Sequence, residues 1–126
     1  MGYESRLIVA ESTSVYRRND GRSYASVIAT IDLCGMPRCF RDLLNDHWHD
    51  SGCYIYIGDE EVATDCYGSP LVATDVATAI ADLRATDQQI LETEGERYRR
   101  IPPALGLLEG IDQSQWSNLL VMHFGY

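Results

Sequence analysis

Three arginines and a tyrosine stand side by side at Arg97, Tyr98, Arg99 and Arg100. Each guanidinium can form two parallel hydrogen bonds to phosphate oxygens, and a tyrosine ring can stack on a nucleobase. Prolines at 102 and 103 follow and indicate the start of a helix, whose N-terminus adds positive potential. The segment therefore predicts a binding site for a small anion that carries phosphate and a base. The alternative is that these arginines pair with the glutamates at 92, 94 and 96 on a solvated helix end.

A second group of basic residues consists of Arg17, Arg18 and Arg22, which flank the sequence Asn-Asp-Gly at residues 19–21. Those three residues tolerate positive φ and favour the tip of a β-hairpin. A hairpin tip rich in arginine can reach over a neighbouring subunit or lie beside a ligand, which makes these arginines further candidates for ligand binding. The alternative is that they only protect a strand edge from aggregation.

Soft metal ligands occur at Cys34, Cys39, His47, His49 and Cys53. Zinc prefers such side chains, but its structural sites usually contain cysteine pairs two to four residues apart. The spacing here is irregular, so we predict neither a metal nor another cofactor. In a chain without an export signal the cysteines are expected to be reduced.

No catalytic signature is present in the sequence: neither a nucleophile elbow, a zinc-protease helix, a phosphate-binding loop nor a dinucleotide fingerprint occurs. His47 and His49 alternate as in two-histidine phosphoesterases, but the second matching motif of those enzymes is missing. We therefore expect a protein that is not an enzyme.

Size and charge narrow the class of protein further. With 126 residues, of which 45% are hydrophobic, the chain is expected to form a single domain over residues 1–126. A net charge of −9 disfavours long nucleic acids and anionic membranes as partners. No apolar run approaches the length of a membrane span and no signal peptide is recognisable, so a cytoplasmic location is expected.

The hydrophobic pattern predicts an α+β fold. Strands are predicted over residues 3–10, 24–33, 53–57, 62–67 and 117–124. Helices are predicted over 37–44, from a cap at Thr74 or Asp75 to Glu94, and over 104–109. This order favours a mostly antiparallel sheet with helices packed on one face. Eight tyrosines and two tryptophans predict self-association, because a small core leaves apolar surface to cover.

Four short segments together resemble small bacteriophage proteins: residues 1–7, 65–71, 99–103 and 123–126. Among these the chain is most similar to the first Thoeris anti-defence family, whose members sequester cyclic nucleotide signals made by host immune enzymes. The resemblance implies a homo-oligomer, a dimer or a hexamer, in the host cytoplasm. It also implies that cyclic ADP-ribose isomers or cyclic oligonucleotides are enclosed at subunit contacts. It does not carry individual binding residues over to this chain.

An alternative hypothesis is an anti-CRISPR protein or another acidic phage inhibitor, whose surface mimics nucleic acid and blocks a host effector. Such a mimic should line its acidic residues along one face. Here the aspartates and glutamates are scattered along the whole sequence, which favours the nucleotide-binding hypothesis. A structural or accessory phage protein also stays open.

Overall fold

The computed structural model of the chain describes residues 4–17, 21–36 and 44–126, with the backbone alone for 13–17. Within these ranges seven strands and two helices confirm the predicted α+β class. The strands are β1 Ser5–Arg17, β2 Ser23–Asp32, β3 His49–Asp50, β4 Cys53–Ile57, β5 Glu60–Val62, β6 Val72–Thr74 and β7 Leu119–Gly125. The helices are α1 Val76–Glu94 and α2 Ile101–Glu109, and a short 3-10 helix spans Gln113–Gln115.

The strands form one sheet in the order β3-β6-β7-β1-β2-β4-β5. Neighbouring strands are antiparallel except β2 and β4, which run parallel where Ser23 lies opposite Cys53. The central strand β1 pairs with β2 on one side and with β7 on the other, so that Arg6 lies between Asp32 and Phe124. This register brings the start of β1, the end of β2 and the end of β7 to the same end of the sheet.

The two faces of the sheet are covered differently. Leu7 and Val9 point to the face on which both helices pack, in a core that includes Leu83 of α1 and Leu108 of α2. The alternate residues of β1 point to a second core, which contains side chains of both β4 and β6. Those two strands are separated by three others in the sheet order. The sheet therefore curls around its second face.

Helix α1 has the boundaries that its sequence predicts. The Asp75 carboxylate accepts a hydrogen bond from the amide of Thr78 at 2.7 Å, and this bond lowers the pKa of Asp75. Gly95 ends the helix with a φ of 77°, a left-handed conformation that glycine adopts without strain. Neither this helix nor any other described one is long and apolar enough to cross a membrane.

Some predicted elements differ from the structure. Helix α2 begins at Ile101 rather than at 104. The strand predicted over 62–67 is wrong, because β5 ends at Val62 and a turn follows in which the Asp65 carboxylate accepts from the amides of Tyr67 and Ser69. The short strands β3 and β6 were not predicted. The helix predicted over 37–44 lies, apart from its last residue, outside the described ranges.

Candidate functional site

The two predicted groups of arginines lie at opposite ends of β2. Arg22 directly precedes this strand, and the backbone of Arg17 pairs with Ser23 at its start. The arginine-rich segment, residues 97–100, lies at the other end, where the Tyr98 hydroxyl donates to the Cys34 carbonyl. Ten strand residues separate these ends by about 30 Å. Within one chain the two groups therefore cannot contact the same small ligand. Arg18, a member of the first group, lies outside the described residues.

Arg97 is already engaged by a carboxylate. Its Nε and Nη2 atoms donate to Oδ2 of Asp87 at 3.1 and 2.6 Å, and these hydrogen bonds raise the pKa of Arg97. Asp87 belongs to α1, so the pair ties the arginine-rich segment to that helix. The predicted alternative of an ion pair is thus present, but its partner is Asp87 rather than one of the three glutamates.

Tyr98 is a core residue rather than an exposed ring. Only 9% of its surface is accessible, and it packs in the core beneath the helices. Burial raises the pKa of its hydroxyl to about 12. A ring enclosed in this way does not present a face for a nucleobase, so the predicted stacking role does not fit this position.

The N-terminus of α2 also lacks free hydrogen-bond donors. The Ile101 amide donates to the Tyr98 carbonyl at 3.1 Å, and the Ala104 amide donates to the Arg100 carbonyl at 3.2 Å. Between them stand Pro102 and Pro103, which have no amide hydrogen. The first turn of the helix therefore contributes its dipole but no N–H group that could bind phosphate directly.

The other two arginines of the segment border separate cavities. Arg99 is exposed and lines a cavity of about 360 Å³ together with Glu94 and Glu96. Arg100 lines a cavity of about 310 Å³, and its Nη1 atom lies 3.9 Å from Oδ2 of Asp32. Arg100 is thus the one whose position links the arginine-rich segment to the end of the sheet.

At that end Arg6, Asp32, Arg100 and Tyr126 form a group that we call the sheet-end cluster. The Arg6 guanidinium carbon lies 4.7 Å from the centroid of the Tyr126 ring, within the range of a cation–π contact. The Tyr126 hydroxyl donates to Oδ1 of Asp32 at 2.8 Å. One carboxylate and two guanidiniums leave the cluster with a net positive charge.

The pKa values of the Asp32 carboxyl and the Tyr126 hydroxyl both lie far from neutral pH. Burial acts to raise the pKa of Asp32, but the hydrogen bonds from Tyr126 and the Cys34 amide and the charges of both arginines outweigh it, so this pKa is lowered. Burial and the hydrogen bond to Asp32 raise the pKa of Tyr126. At neutral pH the aspartate is therefore ionised and the phenol is neutral.

A cavity of about 400 Å³ opens beside the cluster, at the end of the curled face of the sheet; we call it the mouth cavity. Its lining includes the apolar side chains of Ile57, Val62 and Phe124 and the guanidinium-bearing Arg6. The lining also contains the carboxylates of Glu60 and Asp65. Apolar walls with a few polar and charged groups are typical of small-molecule sites. Sequence reasoning missed Arg6 because a single arginine in a strand has no distinguishing pattern, and only the register of β1 with β7 brings it to Tyr126.

The candidate zinc ligands are split by the fold. Cys53 lies opposite Ser23 at the start of β2, whereas Cys34 follows the end of that strand, about 30 Å away. The Cys53 thiol is buried and donates to the Ser51 carbonyl at 3.3 Å. Among the described residues no three metal-ligating side chains are grouped to hold an ion, and Cys39 lies outside the described ranges.

One serine–histidine contact is present, between Ser5 Oγ and His123 Nε2 at 3.0 Å. Both side chains are buried between β1 and β7. A nucleophile must meet its substrate, so this pair is enclosed in the sheet rather than placed at an open site.

No protein-family model matches the chain, and no curated protein or solved structure matches it either. The resemblance to the first Thoeris anti-defence family accordingly stays a hypothesis that depends on the four segments quoted above.

Proposed function

We propose that the protein binds and sequesters a small cyclic nucleotide, a cyclic ADP-ribose isomer or a cyclic oligonucleotide, without converting it. The observation that carries this proposal is the sheet-end cluster, in which the charges of Arg100 and Arg6 both act on one ionised carboxylate, that of Asp32. Two guanidiniums can each form charge-assisted hydrogen bonds to phosphate oxygens. A ligand with two phosphate groups can engage both.

The charge distribution supports a small ligand over a long one. The chain carries a net charge of −9, which repels an extended polyanion from most of its surface. In the sheet-end cluster two guanidiniums stand against one carboxylate, which favours an anion small enough to bind there alone.

The titration of the cluster supports binding without catalysis. A general acid or base works best with a pKa near the working pH. The pKa of Asp32 lies below its ordinary 3.8, and that of Tyr126 lies above its ordinary 10.0. Guanidiniums stay protonated at any relevant pH. These groups can therefore hold a phosphate, but they are poorly suited to exchanging protons with it.

The segments that carry the resemblance meet at this end of the molecule. Residues 1–7 supply Arg6, 65–71 supply Cys66, 99–103 supply Arg100 and 123–126 supply Tyr126. Their convergence supports the interpretation that they serve one ligand.

An oligomer is part of the proposal. Because about 30 Å of strand separates Arg22 from the sheet-end cluster, a ligand held by both groups must lie between two subunits. A homo-oligomer in which the hairpin tip of one subunit approaches the sheet end of another meets this requirement and agrees with the dimer or hexamer that the resemblance implies.

Calorimetry and thermal melting with cyclic ADP-ribose, its isomers and cyclic dinucleotides test the proposal, with linear AMP as the comparison ligand. A bound ligand stabilises the fold by RT ln(1 + [L]/Kd), so the melting temperature should rise with ligand concentration. Arg100→Gln should weaken binding about 10- to 150-fold, the cost of one charge-assisted hydrogen bond. The matched control is Arg84→Gln, because Arg84 is an exposed arginine paired with Glu109.

Mass spectrometry of the released ligand separates binding from turnover. We expect the nucleotide to be recovered unchanged after long incubation. If no cyclic nucleotide binds, the proposal fails and the acidic inhibitor of a host effector becomes the better hypothesis; if the ligand is recovered cleaved, the protein is an enzyme.

A further inference from the structure

We propose that the mouth cavity holds the nucleobase side of the ligand and that Arg6 binds its adjacent phosphate. The cavity measures about 400 Å³ and lies beside the sheet-end cluster. The ligand class rests on the proposed function, whereas the cavity and its lining do not. In chemical terms the cavity is suited to a molecule with a flat apolar part and one anionic group.

Arg6 is held in place before a ligand arrives. Its guanidinium lies over the Tyr126 ring, whose hydroxyl is fixed to Asp32 at 2.8 Å. The Tyr126 backbone is fixed as well, since its carbonyl accepts from the Glu4 amide at 3.1 Å and from the Tyr67 hydroxyl at 3.2 Å. A positioned side chain loses less conformational entropy when it binds, which favours affinity.

The donors of Arg6 are also available. Within the described ranges no carboxylate or carbonyl accepts a hydrogen bond from its guanidinium, in contrast to Arg97, which donates twice to Asp87. The charge of Arg6 contributes to the lowered pKa of Asp32, but no hydrogen bond joins the two side chains. A phosphate can thus accept hydrogen bonds from the Arg6 guanidinium without displacing an acceptor of the protein.

Three strands supply apolar side chains to the cavity wall. Ile57, Val62 and Phe124 come from β4, β5 and β7, on both sides of the curled sheet. A further wall is the turn around Asp65, whose side chain is 7% exposed and whose Oδ2 accepts from the Gly125 amide at 3.3 Å. The volume of the mouth cavity, about 400 Å³, lies within the range of small-molecule pockets, about 300–1,000 Å³.

Glu60 restricts what else can bind. Its exposed carboxylate and the buried carboxylate of Asp65 are both part of the lining, so an anionic group is favoured only directly beside Arg6. A second phosphate of the same ligand is therefore directed across the Tyr126–Asp32 hydrogen bond towards Arg100, which borders the neighbouring cavity.

Cys66 provides a direct test because its exposed thiol lines the same cavity. In a chain with Cys34→Ser and Cys39→Ser, the other remaining thiol, Cys53, is buried. Alkylation of Cys66 by iodoacetamide is followed by intact mass, with cyclic ADP-ribose, phenyl phosphate or inorganic phosphate as the probe. We expect the first two to slow alkylation severalfold at saturation and inorganic phosphate to have a smaller effect.

Two variants assign this protection to the cavity. Arg6→Gln should weaken protection about 10- to 150-fold in probe concentration, because one charge-assisted contact is lost. Thr64→Phe, at an exposed position in the lining, should exclude the ring of phenyl phosphate without changing Arg6. Arg84→Gln is the control and should leave protection intact.

The possible results separate the two proposals. If cyclic ADP-ribose binds by calorimetry while Cys66 reacts as before and Arg6→Gln keeps full affinity, the mouth cavity is not the site and the proposed function stands. If only phenyl phosphate protects Cys66, does so through Arg6, and no cyclic nucleotide binds by calorimetry, the cavity is a binding site for another anion and the proposed function fails. If no probe protects Cys66, the inference is overturned.

Discussion

The arginine-rich segment and the mouth cavity differ in how each holds its arginines. In the segment, Arg97 donates two hydrogen bonds to Asp87 and the intervening Tyr98 is buried in the core. At the mouth cavity, Arg6 rests on the Tyr126 ring and has no described hydrogen-bond acceptor. Two residues of the segment with the dense pattern in the sequence are therefore committed to structure, whereas the guanidinium of a solitary arginine has no hydrogen-bond acceptor among the described residues.

The difference follows from the composition of the chain. The chain has nineteen acidic residues and ten arginines. Because carboxylates outnumber guanidiniums, many arginines have an aspartate or glutamate close enough to form an ion pair. Arg97 with Asp87, Arg84 with Glu109, Arg22 with Asp50 and, more loosely at 3.9 Å, Arg100 with Asp32 are such pairs. In an acidic protein, the local density of arginine is thus a poor guide to binding, and the absence of a carboxylate within hydrogen-bond distance is a better one.

The largest expected effect is that of Tyr98→Ala on stability. Removal of a buried aromatic side chain costs about 3–5 kcal/mol, and the hydrogen bond to the Cys34 carbonyl is lost as well. Urea unfolding measures this, with Tyr98→Phe as a milder variant that keeps the ring. A stable Tyr98→Ala protein that no longer binds nucleotide would show instead that the segment is a binding site and that Tyr98 contacts the ligand.

The next effect concerns the wall of the mouth cavity. Asp65→Ala should lower the free energy of unfolding by about 1–3 kcal/mol, because the turn amides of Tyr67 and Ser69 and the buried amide of Gly125 in β7 lose their acceptor. Asp59→Ala, at an exposed position in the neighbouring turn, serves as the control and should change stability little. Equal stability of the two variants would mean that the wall of the cavity is not held by Asp65.

A smaller effect is expected for the ion pair of the arginine-rich segment. A double-mutant cycle of Arg97→Ala and Asp87→Ala should give a small stabilising coupling energy, since exposed ion pairs contribute little and the Arg97 side chain is 53% exposed. Chemical denaturation of the four proteins gives this value. A coupling energy of zero would mean that Arg97 and Asp87 do not form a stabilising ion pair in solution. Arg97 would then again be a candidate for ligand binding.

The smallest effect is a pH dependence from the sheet-end cluster. The pKa of Asp32 is lower in the folded protein than its ordinary value of 3.8, so its stabilising contribution is complete above about pH 4 and is lost as the pH falls through the folded-state pKa. The side chain is 42% exposed, which limits the contribution to less than about 1 kcal/mol. Asp32→Asn should accordingly flatten the loss of stability below pH 4, and an unchanged acid profile would contradict the hydrogen bonds assigned to Asp32.

Much of the fold could be predicted from local signals. The Asp75 cap and Gly95 stop define α1, and the alternating pattern of β1 and β2 defines the hairpin. Strands of two or three residues, such as β3 and β6, are too short for a period to appear. The region after Val62 alternates like a strand, but the hydrogen bonds of Asp65 bend it into a turn.

The candidate site was less accessible to such reasoning. Whether an arginine is paired depends on residues distant in sequence: Asp87 is ten positions from Arg97, and Tyr126 is far from Arg6. The mouth cavity exists because β4, β5 and β7 meet when the sheet curls. Neither the pairing of an arginine with a carboxylate nor the curl of the sheet can be recognised from a short sequence pattern.

The measurement that tests the account most directly is the affinity of cyclic ADP-ribose for Arg6→Gln and for Arg97→Gln, each compared by calorimetry with the unaltered chain. Melting without ligand checks both folds. We expect an affinity loss of about 10- to 150-fold for Arg6→Gln and almost none for Arg97→Gln, because Arg97 is engaged by Asp87. A loss confined to Arg97→Gln would contradict it and would place the ligand at the arginine-rich segment.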